Sequence, residues 1–152
     1  MSDNTNAQAA AQALQPSPAL KRLDKLAGTW NVSGEVQGQI TFEWMEGGFF
    51  LMQHIDLDHA GHKIKGLEII GHERTYGAAE PSRDIKSRVY DSEGNTWDYV
   101  YELEGDTLTI WAGEKGSPAY FRGKFSDDGN AFSGDWVWPG GGYHASSVRV
   151  KK

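Results

Sequence analysis

The chain contains no cysteine among its 152 residues. Disulfide bonds, thiolate metal sites and cysteine nucleophiles are therefore excluded, because each of them needs a thiol. The sequence also lacks a long apolar segment: no stretch approaches the roughly 20 residues that cross a bilayer as a helix. The N-terminal residues have no apolar run of the kind found in signal peptides. These absences predict a cytoplasmic protein with no membrane partner.

Positive charge is in deficit, with 15 Lys and Arg against 21 Asp and Glu and a formal net charge of −6. Nucleic-acid binding needs clustered cations that neutralise phosphates, so we expect no nucleic-acid partner. Glycine and aromatic residues are abundant instead, with 19 Gly, 6 Trp, 6 Tyr and 6 Phe. This composition is typical of many short strands that are joined by tight turns and enclose large rings.

The N-terminal residues 1–16 are predicted to form a disordered tail, because they offer too little apolar surface to offset the entropy lost on ordering. Residues 17–152 are predicted to form one domain. It should begin with a helix from Ser17 to Ala27, in which Ser17 is the N-cap and Gly28 ends the helix. One face of this helix carries its leucines, Leu20, Leu23 and Leu26.

From Thr29 onward, apolar and polar residues alternate, and turn residues interrupt the alternation about every eight to twelve positions. The first interruption is Gln37-Gly38, and together the interruptions divide the chain into about ten strands. A closed up-and-down antiparallel barrel pairs every strand edge, so we predict an all-β barrel; a two-sheet sandwich without a cavity is the alternative. The longest connection, Glu73 to Ser82, is expected to flank the mouth of the barrel.

The first strand begins with Gly28-Thr-Trp30, and this stretch resembles the Gly-x-Trp hallmark of the calycin superfamily, which includes lipocalins and fatty-acid-binding proteins. Over residues 20–150 the chain is similar to an uncharacterised bacterial lipocalin-like family. The similarity rests on the opening Leu-x-x-Leu-x-Gly-x-Trp and on later segments, namely Gly47-Gly48-Phe-Phe-Leu-Met, Gly66-Leu-Glu-Ile-Ile-Gly71, Asp127-Asp-Gly-Asn130 and Gly134-Asp-Trp136. This resemblance implies a barrel with a ligand-sized cavity and no assigned chemistry.

A second resemblance is to the nitrobindins, ten-stranded haem barrels with a Gly-Thr-Trp near the start and a haem-ligating His on a strand near the C-terminus. His144 occupies that place in this sequence. The chain departs from the nitrobindin pattern after Trp30, where Asn31 to Gly38 replaces a segment that contains Gly and Tyr-Pro. The resemblance implies haem, with His144 as its axial ligand.

Long cationic side chains mark the solvent face of a strand, so residues of the opposite parity are expected inside the barrel. Lys63 and Lys65 on the outside place Glu68 among apolar neighbours in the interior. A buried carboxylate needs a hydrogen-bond partner or a raised pKa. The alternative is that Leu67 and Ile69 face inward and Glu68 is exposed.

The same argument applies to the last strand, where Arg149 on the outside places four residues within the barrel, namely His144, Ser146, Val148 and Val150. The two valines favour this orientation. An inward histidine then serves either as a ligand-binding group or as a hydrogen-bonded structural residue.

Three other strands carry aromatic side chains on their expected inner faces. On the strand that begins at Thr96, the acidic residues share one face and the aromatic residues share the other. Buried tyrosine hydroxyls need partners, so these rings could orient a polar ligand group or fill the core. The aromatic residues expected inside are Trp97, Tyr99, Tyr101, Phe121, Phe125, Phe132, Trp136 and Trp138.

The remaining histidines and one acidic turn are less informative. No cation decides whether His54 or its neighbour Gln53 faces inward. His59 and His62 flank a turn without a nearby carboxylate pair, so we predict solvent exposure and no metal. The segment Asp127 to Asn130 is predicted to be a hairpin turn rather than a calcium loop.

Together these patterns predict a module that binds a small hydrophobic or aromatic molecule in the barrel, without a cofactor or a metal. The predicted ligand-binding residues are Glu68, Tyr99, Tyr101, Phe121, Trp136 and His144. One alternative is an enzyme in which Glu68 and His144 form an acid/base pair. A second alternative is a haem protein with His144 as the axial ligand. The oligomeric state is not predicted.

Overall fold

The computed structural model describes residues 15–151, so the predicted disordered tail falls outside the described residues except for its last two positions. The chain begins with α1 (Pro18–Lys21) and continues as a 3₁₀ segment (Arg22–Leu26). Ser17 is the N-cap, as predicted: its hydroxyl accepts a hydrogen bond of 3.0 Å from the backbone N–H of Leu20. The predicted helix is therefore one α-turn that tightens into a 3₁₀ turn.

Ten antiparallel strands follow, each paired with its neighbours in the chain, and the first strand pairs with the last. The strands are β1 (Gly28–Gly34), β2 (Val36–Trp44), β3 (Phe50–His59), β4 (His62–Gly71), β5 (Ile85–Asp91), β6 (Thr96–Glu104), β7 (Thr107–Ala112), β8 (Tyr120–Phe125), β9 (Ala131–Trp138) and β10 (Gly141–Lys151). The predicted closed barrel is confirmed, and the alternative of a two-sheet sandwich is wrong. The first chain reversal lies at Glu35 rather than at Gln37-Gly38, which belong to β2.

The helical segment closes one end of the barrel, because its leucine face packs onto the first residues of β1 and their neighbours. Trp30 is completely buried there, and its indole N–H donates a hydrogen bond of 2.8 Å to the backbone oxygen of Leu26. The ring of Phe132 meets the indole edge-on at 4.8 Å between centroids. The leucines that complete this closed end are Leu20, Leu23 and Leu26.

Arg149 turns toward the closed end instead of toward solvent. Its guanidinium lies 4.2 Å from the centroid of the Trp30 ring, within the range of a cation–π interaction. The same guanidinium donates hydrogen bonds to the backbone oxygens of Ala27, Lys25 and Gly129. Arg149 therefore joins the helical segment, β1 and the β8–β9 turn in one hydrogen-bonded unit.

The longest connection, between β4 and β5, lies at the closed end, and the expectation that it flanks the mouth is wrong. The strand directions explain this position, since β4 ends and β5 begins beside the helical segment. His72, at the start of this connection, donates from Nδ1 to the backbone oxygen of Ser82 at 2.8 Å. Its Nε2 then accepts from the hydroxyl of Ser17 at 2.7 Å, so the connection is attached to the helix N-cap.

Candidate functional site

A cavity of about 230 Å³ occupies the barrel interior above the closed end. Ligand pockets commonly span about 300–1,000 Å³, so this one suits a small molecule with a single ring or a short chain. Most of the wall is aliphatic or aromatic, and the polar side chains that line it are Gln53, Glu68, Tyr99, Tyr101, Tyr143 and Ser147. None of the lining residues is Lys, Arg or His.

Glu68 is the most unusual group in this wall, because its side chain is only 2% exposed and lies among apolar neighbours. One carboxylate oxygen, Oε1, accepts hydrogen bonds from Tyr101 at 2.7 Å and from Gln53 at 2.5 Å. The other oxygen, Oε2, accepts one bond of 2.6 Å from the Ser87 hydroxyl. The predicted inward orientation of Glu68 is confirmed, and the alternative with Leu67 and Ile69 inside is wrong.

The strand register explains why these four side chains meet. Gln53 on β3 is directly opposite Glu68, and Ser87 and Tyr101 lie on the next two strands at inward positions. The network therefore spans β3 to β6, with one member from each strand. Within the described residues, no buried side-chain nitrogen or oxygen lacks a hydrogen-bond partner.

Burial dominates the electrostatics of this network. It raises the pKa of Glu68, and the hydrogen bonds from Ser87, Tyr101 and Gln53 oppose that rise. Burial, followed by the negative charge of Glu68, raises the pKa of Tyr101 well above its usual value. The same two causes raise the pKa of Tyr99, while the adjacent Trp97 side chain acts in the opposite direction. Both tyrosines are consequently neutral hydroxyl donors at physiological pH.

Three aromatic rings form a cluster higher in the cavity. The Trp136 indole lies 5.7 Å from the Tyr99 ring and 5.3 Å from the Phe121 ring, measured between centroids. Phe121 packs over Gly123, where an added Cβ would lie 2.7 Å from the Phe121 Cζ. The inward glycine therefore makes room for the Phe121 ring. These placements agree with the predicted inner faces of β6, β8 and β9.

The rim of the cavity is also aromatic. Trp97 and Trp138 are 37% and 42% exposed, so Trp138 lies at the rim and not inside, where it was expected. Tyr143 contacts Trp138 edge-on, with 5.9 Å between ring centroids. A second recess of about 270 Å³ adjoins the rim and shares Tyr99, Trp136 and Tyr143 with the main cavity.

His144 does not face the cavity, and its predicted inward orientation is wrong. Its side chain is 60% exposed, and its Nδ1 lies 2.8 Å from an Asp135 carboxylate oxygen on the outer face of β9. The prediction was wrong because it assumed that the Arg149 side chain faces solvent, whereas this side chain is turned toward Trp30. A register shift between Thr29 and Trp30 accompanies this arrangement. The inward residues of β10 are instead Tyr143, Ala145 and Ser147.

The orientation of His144 removes the basis of both alternative functions. Glu68 and His144 cannot act as an acid/base pair, because the barrel wall separates the two side chains. For the same reason, His144 cannot be the axial ligand of a haem inside the barrel. The residues present therefore do not fit the haem site that the nitrobindin resemblance implies.

The other histidines on the barrel pair with carboxylates. His54 faces outward and lies 2.8 Å from a Glu43 oxygen, so the facing of β3 is settled with Gln53 inside. His59 contacts Glu35 at 2.8 Å, and His62 contacts Glu93 at 2.9 Å. Over the described residues, no group of three or more His, Asp or Glu side chains is arranged to hold a metal ion.

The acidic turn between β8 and β9 has the predicted hairpin character. Asp128 accepts hydrogen bonds from the Ser126 hydroxyl at 2.7 Å and from the Asn130 backbone N–H at 2.9 Å. The carboxylate of Asp128 thus stabilises the turn internally.

Sequence reasoning missed Gln53 and Ser147 as residues of the cavity wall, and it missed Ser87 as a buried donor to Glu68. A usable signal existed for Ser87, because Lys86 and Arg88 on either side mark the solvent face of β5. No equivalent cation flanks Gln53, which is why the facing of β3 stayed open. Ser147 was not predicted in the cavity wall, because the error that placed His144 inside also placed Ser147 on the outer face.

Comparison with protein-family models finds no match for this chain, and a search of curated proteins finds none either. Over residues 15–151, no helix is both long and apolar enough to cross a membrane. The assignment of a function therefore depends on the cavity itself.

Proposed function

We propose that this protein binds one small, mainly apolar molecule with an aromatic or short hydrocarbon body inside the barrel. The observation that carries the proposal is the cavity of about 230 Å³, which has apolar and aromatic walls, a sealed floor and a few convergent polar groups. Tyr99 and Tyr101 supply hydroxyl groups and Glu68 supplies acceptor oxygens on the cavity wall. The role of these residues, and of Phe121 and Trp136, in ligand binding is part of the proposal.

The closed end supports this assignment, because a ligand can then enter the cavity only past the aromatic rim at the opposite end. Residues of the helical segment and Trp30 fill the floor without leaving it open to solvent. A ligand would then enter past Trp97 and Trp138 and lie against the rings of the cavity wall. We also propose that the chain is a lipocalin-like barrel of the calycin superfamily and that it acts in the cytoplasm.

Titration with indole tests the proposal, because indole is small, uncharged and aromatic. We expect saturable binding with about one indole per folded chain, measured by calorimetry and by ligand-observed NMR. The blocking variant is Ala145→Phe, which places a ring inside the cavity. The matched control is His144→Phe, which places the same ring on the outer face of the same strand, one residue earlier.

We expect Ala145→Phe to weaken indole binding by at least about tenfold and His144→Phe to leave it within about twofold of the wild type. Failure of the folded wild-type protein to bind indole or any other small aromatic compound would refute the proposal. Equal binding by wild type and Ala145→Phe would place the indole site elsewhere on the molecule.

A further inference from the structure

The buried carboxylate of Glu68 has no counter-ion among residues 15–151. Its three hydrogen-bond donors, from Gln53, Ser87 and Tyr101, are all neutral groups. No described lysine, arginine or histidine forms an ion pair with it, and none lines the cavity. An ionised carboxylate in such a wall is therefore incompletely compensated, because hydrogen bonds from neutral donors do not cancel its charge.

The carboxylate retains capacity for one more partner. Its Oε1 is occupied by two donors, whereas its Oε2 accepts only the Ser87 hydroxyl. A carboxylate oxygen can accept two hydrogen bonds, so Oε2 has a free acceptor position. Glu68 belongs to the cavity wall together with two of its donors, Gln53 and Tyr101, so a ligand inside the barrel can approach the carboxylate.

The aromatic cluster above Glu68 suits the same kind of ligand. The faces of Tyr99, Trp136 and Phe121 carry negative electrostatic potential, which attracts a cation or the edge of an aromatic ring. Their centroid separations of 5.3–5.7 Å leave them as close neighbours on one side of the cavity. The net charge of −6 further favours approach of cations over anions.

We propose that the natural ligand is a small organic amine, with a protonated nitrogen that binds the Glu68 carboxylate and an apolar or aromatic body that packs against Tyr99, Phe121 and Trp136. This inference rests on the proposed cavity function and names its ligand class. It excludes fatty acids and other carboxylates as ligands, since an anion beside Glu68 meets a like charge in an apolar wall.

Three compounds of similar size and different charge test the inference: phenethylamine, 2-phenylethanol and 3-phenylpropanoate. They are titrated calorimetrically into the full-length protein at about pH 7, where the first is a cation, the second is neutral and the third is an anion. We expect phenethylamine to bind at least about tenfold more tightly than 2-phenylethanol, and 3-phenylpropanoate to show no measurable binding.

The substitution Glu68→Gln tests the residue that is held responsible. It keeps the size of the side chain and removes its charge, so phenethylamine affinity should fall at least about tenfold while 2-phenylethanol affinity changes less than about threefold. The matched control is Glu43→Gln, which makes the same change on the outer face of β2 and should alter neither affinity. If Glu68→Gln does not fold, the affinity order of the three compounds on the wild type still decides the charge class.

The outcomes separate this inference from the proposed function. Indole binding together with equal or tighter binding of 2-phenylethanol than of phenethylamine would overturn the amine assignment and leave the cavity function intact. Undiminished phenethylamine binding by Glu68→Gln would also overturn it. A protein that binds neither indole nor any of the three compounds would contradict the cavity function itself.

Discussion

Replacement of Trp30 by alanine is expected to be among the most destabilising single substitutions in this chain. The indole is completely buried, and it packs edge-on against Phe132 at 4.8 Å and Phe125 at 6.2 Å between centroids. Truncation of a buried tryptophan to alanine costs about 3–5 kcal/mol through lost burial and the cavity that remains. The substitution also removes the donor to the Leu26 carbonyl and the ring beneath Arg149.

The expected loss is large compared with the total stability. Small domains unfold with about 5–15 kcal/mol, so the substitution removes a third or more of the stability at the lower end of that range. Urea denaturation followed by far-UV circular dichroism measures the change in the free energy of unfolding. Trp30→Phe separates packing from hydrogen bonding, and we expect a smaller loss of about 1–3 kcal/mol, since it retains a ring but not the indole N–H.

Trp97→Ala is the matched control, because the same truncation occurs at the rim, where the side chain is 37% exposed. We expect it to cost less than about 1.5 kcal/mol, because little of its surface is packed as tightly as that of Trp30. A free energy of unfolding for Trp30→Ala that lies within about 1 kcal/mol of the wild-type value would contradict this prediction. The prediction also fails if the two alanine variants lose the same stability, since burial at the closed end would then not govern the loss.

Three further substitutions test the remaining assignments. Arg149→Met keeps the aliphatic stem but loses the contacts of the guanidinium, so the free energy of unfolding in urea should fall by about 2–3 kcal/mol; a loss below about 0.5 kcal/mol would contradict the role at the closed end. Because burial raises the pKa of Glu68 in the folded state, stability attributable to its protonated form is present at low pH and is lost as pH rises above the ordinary glutamate range. The stability of Glu68→Gln relative to wild type should therefore increase between about pH 4.5 and pH 8 in urea titrations, and a constant difference would argue against a raised pKa. His144→Gln breaks an exposed ion pair with Asp135, so it should change stability by less than about 0.5 kcal/mol and leave indole binding unaltered.

The architecture was predictable because its signals are local and repeated. Alternation of apolar and polar residues, interrupted by turn residues, specifies strands one at a time, and antiparallel pairing between neighbours needs no further information. The orientation of Glu68 was predictable for a similar reason. Lys63 and Lys65 lie on the same strand with their charges in solvent, so parity places Glu68 on the other face.

The orientation of β10 was not predictable from the same rule, because Arg149 violates its assumption. The rule treats a cation as a marker of solvent, whereas this guanidinium is satisfied by three backbone carbonyls and an indole face at the closed end. Those partners come from Lys25, Ala27, Gly129 and Trp30, and most are more than 100 positions away in the chain. Only the closure of the barrel brings them together, so no local pattern could reveal that Arg149 faces inward.

Polar groups at the closed end and polar groups in the cavity wall have different roles, the first in folding and the second in the proposed binding. The closed end is held together by apolar packing, and the Trp30 indole and Arg149 donate there to backbone oxygens. The fold does not require a carboxylate in the Glu68 network, because an apolar side chain at position 68 would avoid the cost of desolvating it. Three neutral donors from three neighbouring strands nevertheless converge on it. The cost of burying this carboxylate is the reason that we place Glu68 in the proposed ligand site and not in the framework of the fold.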